Sequence, residues 1–183
     1  MFELGPGEQS ELLALARRTL EYFFQSHTLL NYQPQHPSLH SLAGSFVSLH
    51  RHVELRGCIG HLEADRAVYI NVMESALAAG FQDPRFPPLE HGELSQVSIE
   101  ISVLSAFTVV NDMEEIRTGT HGLMISMGPC RGLLLPQVAI RFGWDRIRFL
   151  EEACFKAGLP RDSWLRGAMI ETFSALVFGE EIT

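Results

Sequence analysis

Lysine is nearly missing from this sequence of 183 residues: thirteen of its fourteen basic residues are arginine, and Lys156 stands alone. The bias is of the kind codon usage produces and excludes nothing by itself. Cysteine is also scarce. Cys58, Cys130 and Cys154 are odd in number and irregularly spaced, which argues against a disulfide framework and a CxxC zinc site and leaves three free thiols as the expectation. Long apolar runs are lacking too. No stretch approaches the roughly 18 residues that would span a bilayer, and the opening MFELGPGEQSELL has neither the basic nor the apolar region of a secretion signal. The expectation is a cytoplasmic protein with no membrane contact. Positive charge is outweighed, with 14 Lys+Arg against 22 Asp+Glu, a formal net charge of -8 and a pI near 5.4. That balance disfavours broad binding to a nucleic-acid backbone, although a local basic cleft stays possible. Repeats and low-complexity linkers are absent.

What is present is the make-up of one ordinary domain or two small lobes, with 46% hydrophobic residues and a mean hydropathy of +0.07. From Ser10 to about His27, Leu12, Leu13, Ala16, Leu20, Phe23 and Phe24 recur at helical spacing. In FVSLHRHVEL, Val47, Leu49, Val53 and Leu55 alternate with Ser48, His50, His52 and Glu54, which predicts a half-buried strand. If its pleat runs on unbroken, Arg56 and Cys58 project from the polar face; Gly57 leaves room for a bulge. DRAVYINVMESALAAGF reads as a deeply packed helix with Asp65 as N-cap, and VSIEISVLS as the clearest strand. GLMISM and RGLLLP flank a GPC turn as a hairpin, and PQVAIRFG opens a short helix with proline first. WDRIRFLEEACFKAGLP predicts a helix capped by Asp145, and AMIETFSALVFGEE a closing strand. Strands and helices in this order indicate an α+β fold.

Several residues are chemically conspicuous. Cys58 would be a nucleophile if a nearby cation, such as Arg56 or a histidine, favoured its thiolate; otherwise it is a small thiol filling a strand position. Gly57 and Gly60 suggest close backbone approach of another chain segment or a ligand. His50 and His52 have HxH spacing, with His36 and His40 nearby in sequence, yet no motif fixes a further ligand, so neither metal nor cofactor is expected. His61 has the opposite parity to Cys58. Asp83 and Arg85 lie in a connection, where they could serve a site or tie down their own loop. His121, before a glycine and a strand, suits an acid, base or donor.

Taken together, FVSL, LRGCIG, DPRFPP, IEISVLS, HGL, LLLPQVA, GWD, FL and KAGLP, in this order over roughly residues 44–164, make the chain resemble the AMMECR domain family, component A of the AmmeMemoRadiSam system of bacteria and archaea. His61 departs from the small residue, such as threonine or serine, expected after LRGCIG. The resemblance implies a single AMMECR-type domain over residues 1–183, two-lobed. The larger lobe, an antiparallel sheet flanked by helices, covers about 1–105 and 166–183, and a smaller α/β lobe about 106–165, with LRGCIG near the lobe junction. It implies a Memo-like protein and a radical-SAM protein as partners. It carries no established reaction.

The resemblance also collects a candidate site: Arg56 and Cys58 with Gly57 and Gly60, Asp83 and Arg85, His121, Gln137 and Lys156. Three cations, a thiol, an acid and an imidazole would suit a small anionic molecule or a peptide end. Two readings follow. In the enzymatic one, Cys58 is a nucleophile or redox thiol activated by Arg56, His121 is acid or base, and Asp83, Arg85, Gln137 and Lys156 bind the substrate. In the other, the chain is a non-catalytic binding or adaptor component. Nucleic-acid recognition is a weaker third, because no basic patch interleaved with aromatics is present.

Overall fold

A computed structural model describes residues 4–180. In chain order the helices are α1 (Pro6–Ser26), α2 (Val68–Phe81), α3 (Pro136–Phe142) and α4 (Arg146–Lys156). The strands are β1 (Ser45–Arg51), β2 (Glu54–His61), β3 (Val97–Leu104), β4 (Thr108–Val109), β5 (Gly122–Met127), β6 (Cys130–Leu134), β7 (Met169–Phe173) and β8 (Ala175–Gly179). They form two compact units, residues 4–104 with 176–180, and residues 105–175. The fold is α+β.

In the first unit the sheet order is β2-β1-β3-β8, with β1 antiparallel to both neighbours. One parity of β1 and β3 is inward: Val47, Leu49, Ile99, Ile101 and Val103 are buried. They pack with Leu12, Ala16 and Leu20 of α1 and Val72, Ala76 and Ala79 of α2 in one apolar core. Burial of such side chains is the main force holding helices to sheet, at about 2 kcal/mol each.

Two expectations change here. FVSLHRHVEL is not one strand: the chain reverses after Arg51, which pairs with Glu54. His52 takes a positive φ of 55° at this turn, and Val53 is 83% exposed at the tip. The alternation of Val53 with Val47 and Leu49 was therefore coincidental. Nor does Asp65 cap α2; the N-cap is Ala67, and Asp65 instead pairs with Arg66 at 3.2 Å.

In the second unit the order is β4-β7-β5-β6, antiparallel throughout. Helix α4 lays Phe149, Leu150, Ala153 and Cys154 on the core that contains Leu123, Ile125 and Ile170. Asp145 caps it, its carboxylate accepting from the Arg148 N–H at 2.8 Å. The closing stretch AMIETFSALVFGEE is two strands rather than one. β7 belongs to the second sheet and β8 to the first, so residues 166–175 fold with the second unit and not with the larger lobe. The break falls at Ser174, whose N–H donates to Ser105 Oγ and whose carbonyl accepts from the Ser105 N–H, both at 2.9 Å.

Candidate functional site

Strand β2 is an edge strand, so the outward-facing N–H and C=O groups along its free side need partners from outside the sheet. Its register to β1 slips by one: Glu54 pairs with Arg51 and Leu55 with His50, but Gly57 pairs with Leu49 and Cys58 with Ser48. Arg56 is the extra residue of this bulge. The bulge decides which way Cys58 faces, because a two-residue hairpin without it would set Cys58 opposite inward-facing Val47. The tight turn and the bulge each shift the parity by one, and the shifts cancel. Cys58 therefore lies on the outward face with Ser48, as an unbroken pleat had predicted.

The connection after α2, residues 82–93, folds back on this strand and supplies the missing partners. The Cys58 N–H donates to Asp83 Oδ2 at 2.9 Å, and Arg85 Nη2 donates to the Cys58 carbonyl at 3.1 Å. One residue thus has its donor and its acceptor met by two side chains, as a neighbouring strand would meet them. Arg85 is fixed in turn by bonds from Nε to Asp83 Oδ1 at 2.9 Å and from Nη2 to Asp83 Oδ2 at 2.7 Å, and its own N–H also reaches Oδ1. The side chain of Asp83 is 1% exposed while that of Arg85 is 55% exposed. The Arg85 guanidinium holds the Asp83 carboxyl far below the usual carboxylate range, against the opposing effect of burial, with help from the Cys58 N–H. Accepting four hydrogen bonds, this carboxylate has little capacity left for a substrate.

Arg56 points elsewhere. Its Nε and Nη2 donate to Glu93 at 3.0 and 2.8 Å, and Nη1 to the Pro87 carbonyl at 3.0 Å. Its side chain is only 11% exposed. Arg56, followed by the Glu90 N–H, lowers the Glu93 carboxyl from 4.5 to about 2. Gly57 is required by closeness: a Cβ there would lie 2.1 Å from the carbonyl oxygen of Ala79 in α2. Gly60 packs in the same manner against β1, where a Cβ would meet the Ser45 carbonyl oxygen at 2.3 Å.

The structure therefore gathers Cys58, Asp83 and Arg85. Ser48, which sequence reasoning passed over, joins them by donating from Oγ to the Cys58 sulfur at 3.2 Å. Only the bulged register could have revealed it. The charge of Arg85, favoured first by Asp83, is favoured also by the Cys58 sulfur beside it. The guanidinium alongside this thiol is thus that of Arg85, while Arg56 serves Glu93. The half-buried sulfur thus has one hydroxyl donor and one cation nearby.

The other three candidates lie in the second unit. The His121 N–H donates to the Arg117 carbonyl at 2.9 Å, and His121 Nδ1 accepts from the Arg117 N–H at 3.3 Å. Gln137 is exposed near the start of α3, and Lys156 is exposed at the end of α4. His121 immediately precedes β5, and Gln137 follows β6 in the first turn of α3. Among the described residues, no group of three or more His, Cys, Asp or Glu could hold a metal ion. His36 is engaged with Glu11, and the His40 ring lies against Tyr69. No described helix is long and apolar enough to cross a membrane.

The chain is thus a two-unit α+β protein whose edge strand is stapled beside a thiol by an Asp-Pro-Arg connection. The chain belongs to the AMMECR1 family, whose sequence profile matches residues 13–178. It is 39% identical over 178 residues to Protein Mbar_A1807 of Methanosarcina barkeri, covering 91% of this chain and 87% of that one. Its identity to Protein MK0488 of Methanopyrus kandleri is 40% over 185 residues, covering 95% and 89%. The crystal structure of PH0010, an uncharacterized protein from Pyrococcus horikoshii, matches with a TM-score of 0.89 at 35% identity, covering 95% of this chain and 92% of that one.

Proposed function

We propose that the Cys58 end of β2 is a thiol-centred site for a small anionic molecule or a peptide end. Cys58 acts there as a nucleophile or redox thiol, and Arg85 meets the negative charge. The observation that supports this is the placement of the sulfur: Ser48 Oγ donates to it at 3.2 Å, and a guanidinium fixed on Asp83 stands beside it with more than half of its side chain open. Asp83 positions Arg85 and the Cys58 backbone. In this reading the protein works alongside a Memo-like protein and a radical-SAM protein.

A second reading, a non-catalytic binding or adaptor component of the same system, is favoured by a different observation. Arg56 and Asp83 spend their hydrogen-bonding capacity on their own chain, as scaffold residues do. Alkylation rates of the three cysteines, followed by peptide mass spectrometry on the folded protein, separate the two readings. The thiol reading expects Cys58 to react fastest at neutral pH, ahead of half-buried Cys130 and of Cys154, whose thiol burial pushes up. It also expects Arg85→Ala to slow Cys58 severalfold. A Cys58 that stays protected to high pH, with partner binding intact in Cys58→Ser, would establish the adaptor role instead.

A further inference from the structure

Away from Cys58, on the inward side of the same sheet, three buried side-chain oxygens have no hydrogen-bond partner among the described residues: Ser45 Oγ, Asn71 Oδ1 and Ser75 Oγ. All three residues are fully buried. An unpaired hydroxyl or amide oxygen in an apolar core is destabilising, so three of them call for an explanation.

The fold brings them together. Asn71 Nδ2 donates to the Ala43 carbonyl at 2.7 Å, which fixes the start of α2 beside the start of β1. At the other end of the contact, the Ala79 carbonyl oxygen abuts Gly57. From Ala79 back to Asn71 is eight helical residues, about 12 Å. From Gly57 on to His61 is four strand residues, about 13 Å. The stripe Asn71, Ser75, Ala79 thus runs alongside β2, with Asn71 level with His61 and Ser75 one turn further on. Ser45 is the β1 partner of His61 and has the inward parity of Val47 and Leu49. The three orphan oxygens therefore belong to the facing sides of the first half of α2 and the beginning of β1. The outer end of this crossing is polar too: His61 Nε2 stands 3.7 Å from Glu74 Oε2, and Arg66 Nη1 donates to the same oxygen at 2.6 Å.

We propose that Ser45, Asn71 and Ser75 form an internal water-binding site between α2 and β1, rimmed by His61 and Glu74. Two hydroxyls, each able to donate and accept, and one amide oxygen meet the two to four polar partners that a buried water takes. No cation is required, because no carboxylate lies among the three inner residues. The site is independent of the Cys58 reading, since it uses the opposite face of the sheet.

The test is a high-resolution crystal structure of the whole chain, with thermal melts of Ser45→Ala and Ser75→Ala. The expected result is an ordered water within hydrogen-bonding distance of at least two of the three oxygens, and a lower Tm for each variant, because each removes one of the water's partners. In a dry cluster, deleting an unpaired hydroxyl removes a penalty and raises Tm. Finding no water among the three oxygens overturns the proposal, whichever way the variants move; the native crystal decides this even if a variant does not fold.

Discussion

The candidate residues of the two units are held in opposite ways. In the first unit, Arg56, Asp83 and Arg85 are tied to backbone groups of β2 and of the 82–93 connection, and two of them are nearly sealed from solvent. In the second, Gln137 and Lys156 are exposed on short helices, and His121 is fastened to Arg117 within its own turn. Charged residues in a recognisable motif can thus be architecture in one place and open surface in another. Residue type alone does not separate the two; the number of hydrogen-bonding positions already spent does.

Substitutions can break that comparison, and the largest effect is expected at Arg56. Arg56→Ala takes from Glu93 its close partner, leaving Arg51 at 3.9 Å, and uncovers the Pro87 carbonyl, so denaturant unfolding should show a loss of about 3 kcal/mol. Asp83→Asn ranks next. It keeps the shape but gives up the charge that fixes Arg85, and should cost about 2 kcal/mol while changing the alkylation rate of Cys58. A Cys58 rate unaltered by Asp83→Asn would show that Arg85 holds its place without the staple.

Acidification gives a third measure. Glu93 is lowered from 4.5 to about 2 in the folded protein, so its contribution is complete above its unfolded value and fades as the pH falls toward 2. Glu11 behaves similarly. Burial would raise its carboxyl, but hydrogen bonds from His36, the Gln35 N–H and Tyr32 overcome this and bring it to about 2. Stability followed from pH 4.5 down to about 2 should therefore decline, and more shallowly in Glu93→Gln than in the native chain. The smallest effects are expected in the second unit. Gln137→Ala and Lys156→Ala should stay within about 0.5 kcal/mol of the native chain; a larger loss at either would mean that the second unit is as interlocked as the first.

Much of the fold was legible because it is local. Asp145 capping α4, the GPC turn between β5 and β6, and Pro136 opening α3 follow from residues within a few positions of one another. The misreadings have equally definite causes. His52 adopts a left-handed turn without being glycine, so nothing in the text of the sequence punctuated the hairpin. Ser174 ends one strand and precedes another with no proline or glycine to mark the change of sheet. At the candidate site, the chemistry of Cys58, Asp83 and Arg85 could be picked out, and so could the chance that Asp83 and Arg85 tie down their own loop, but not that both reach the backbone of Cys58. Glu93 is 37 residues from the Arg56 it neutralises, and Ser48 reaches Cys58 only through a register that a bulge has shifted.

The staple on Cys58 also bears on how copies of this chain behave in concentrated solution. A bare edge strand is a template on which another molecule can extend the sheet, and such pairing is how many β-containing proteins begin to aggregate. At Cys58 a passing strand finds the amide already donated to Asp83 and the carbonyl already taken by Arg85. The same two side chains that flank the thiol thus act as a guard against self-association along the margin of the sheet.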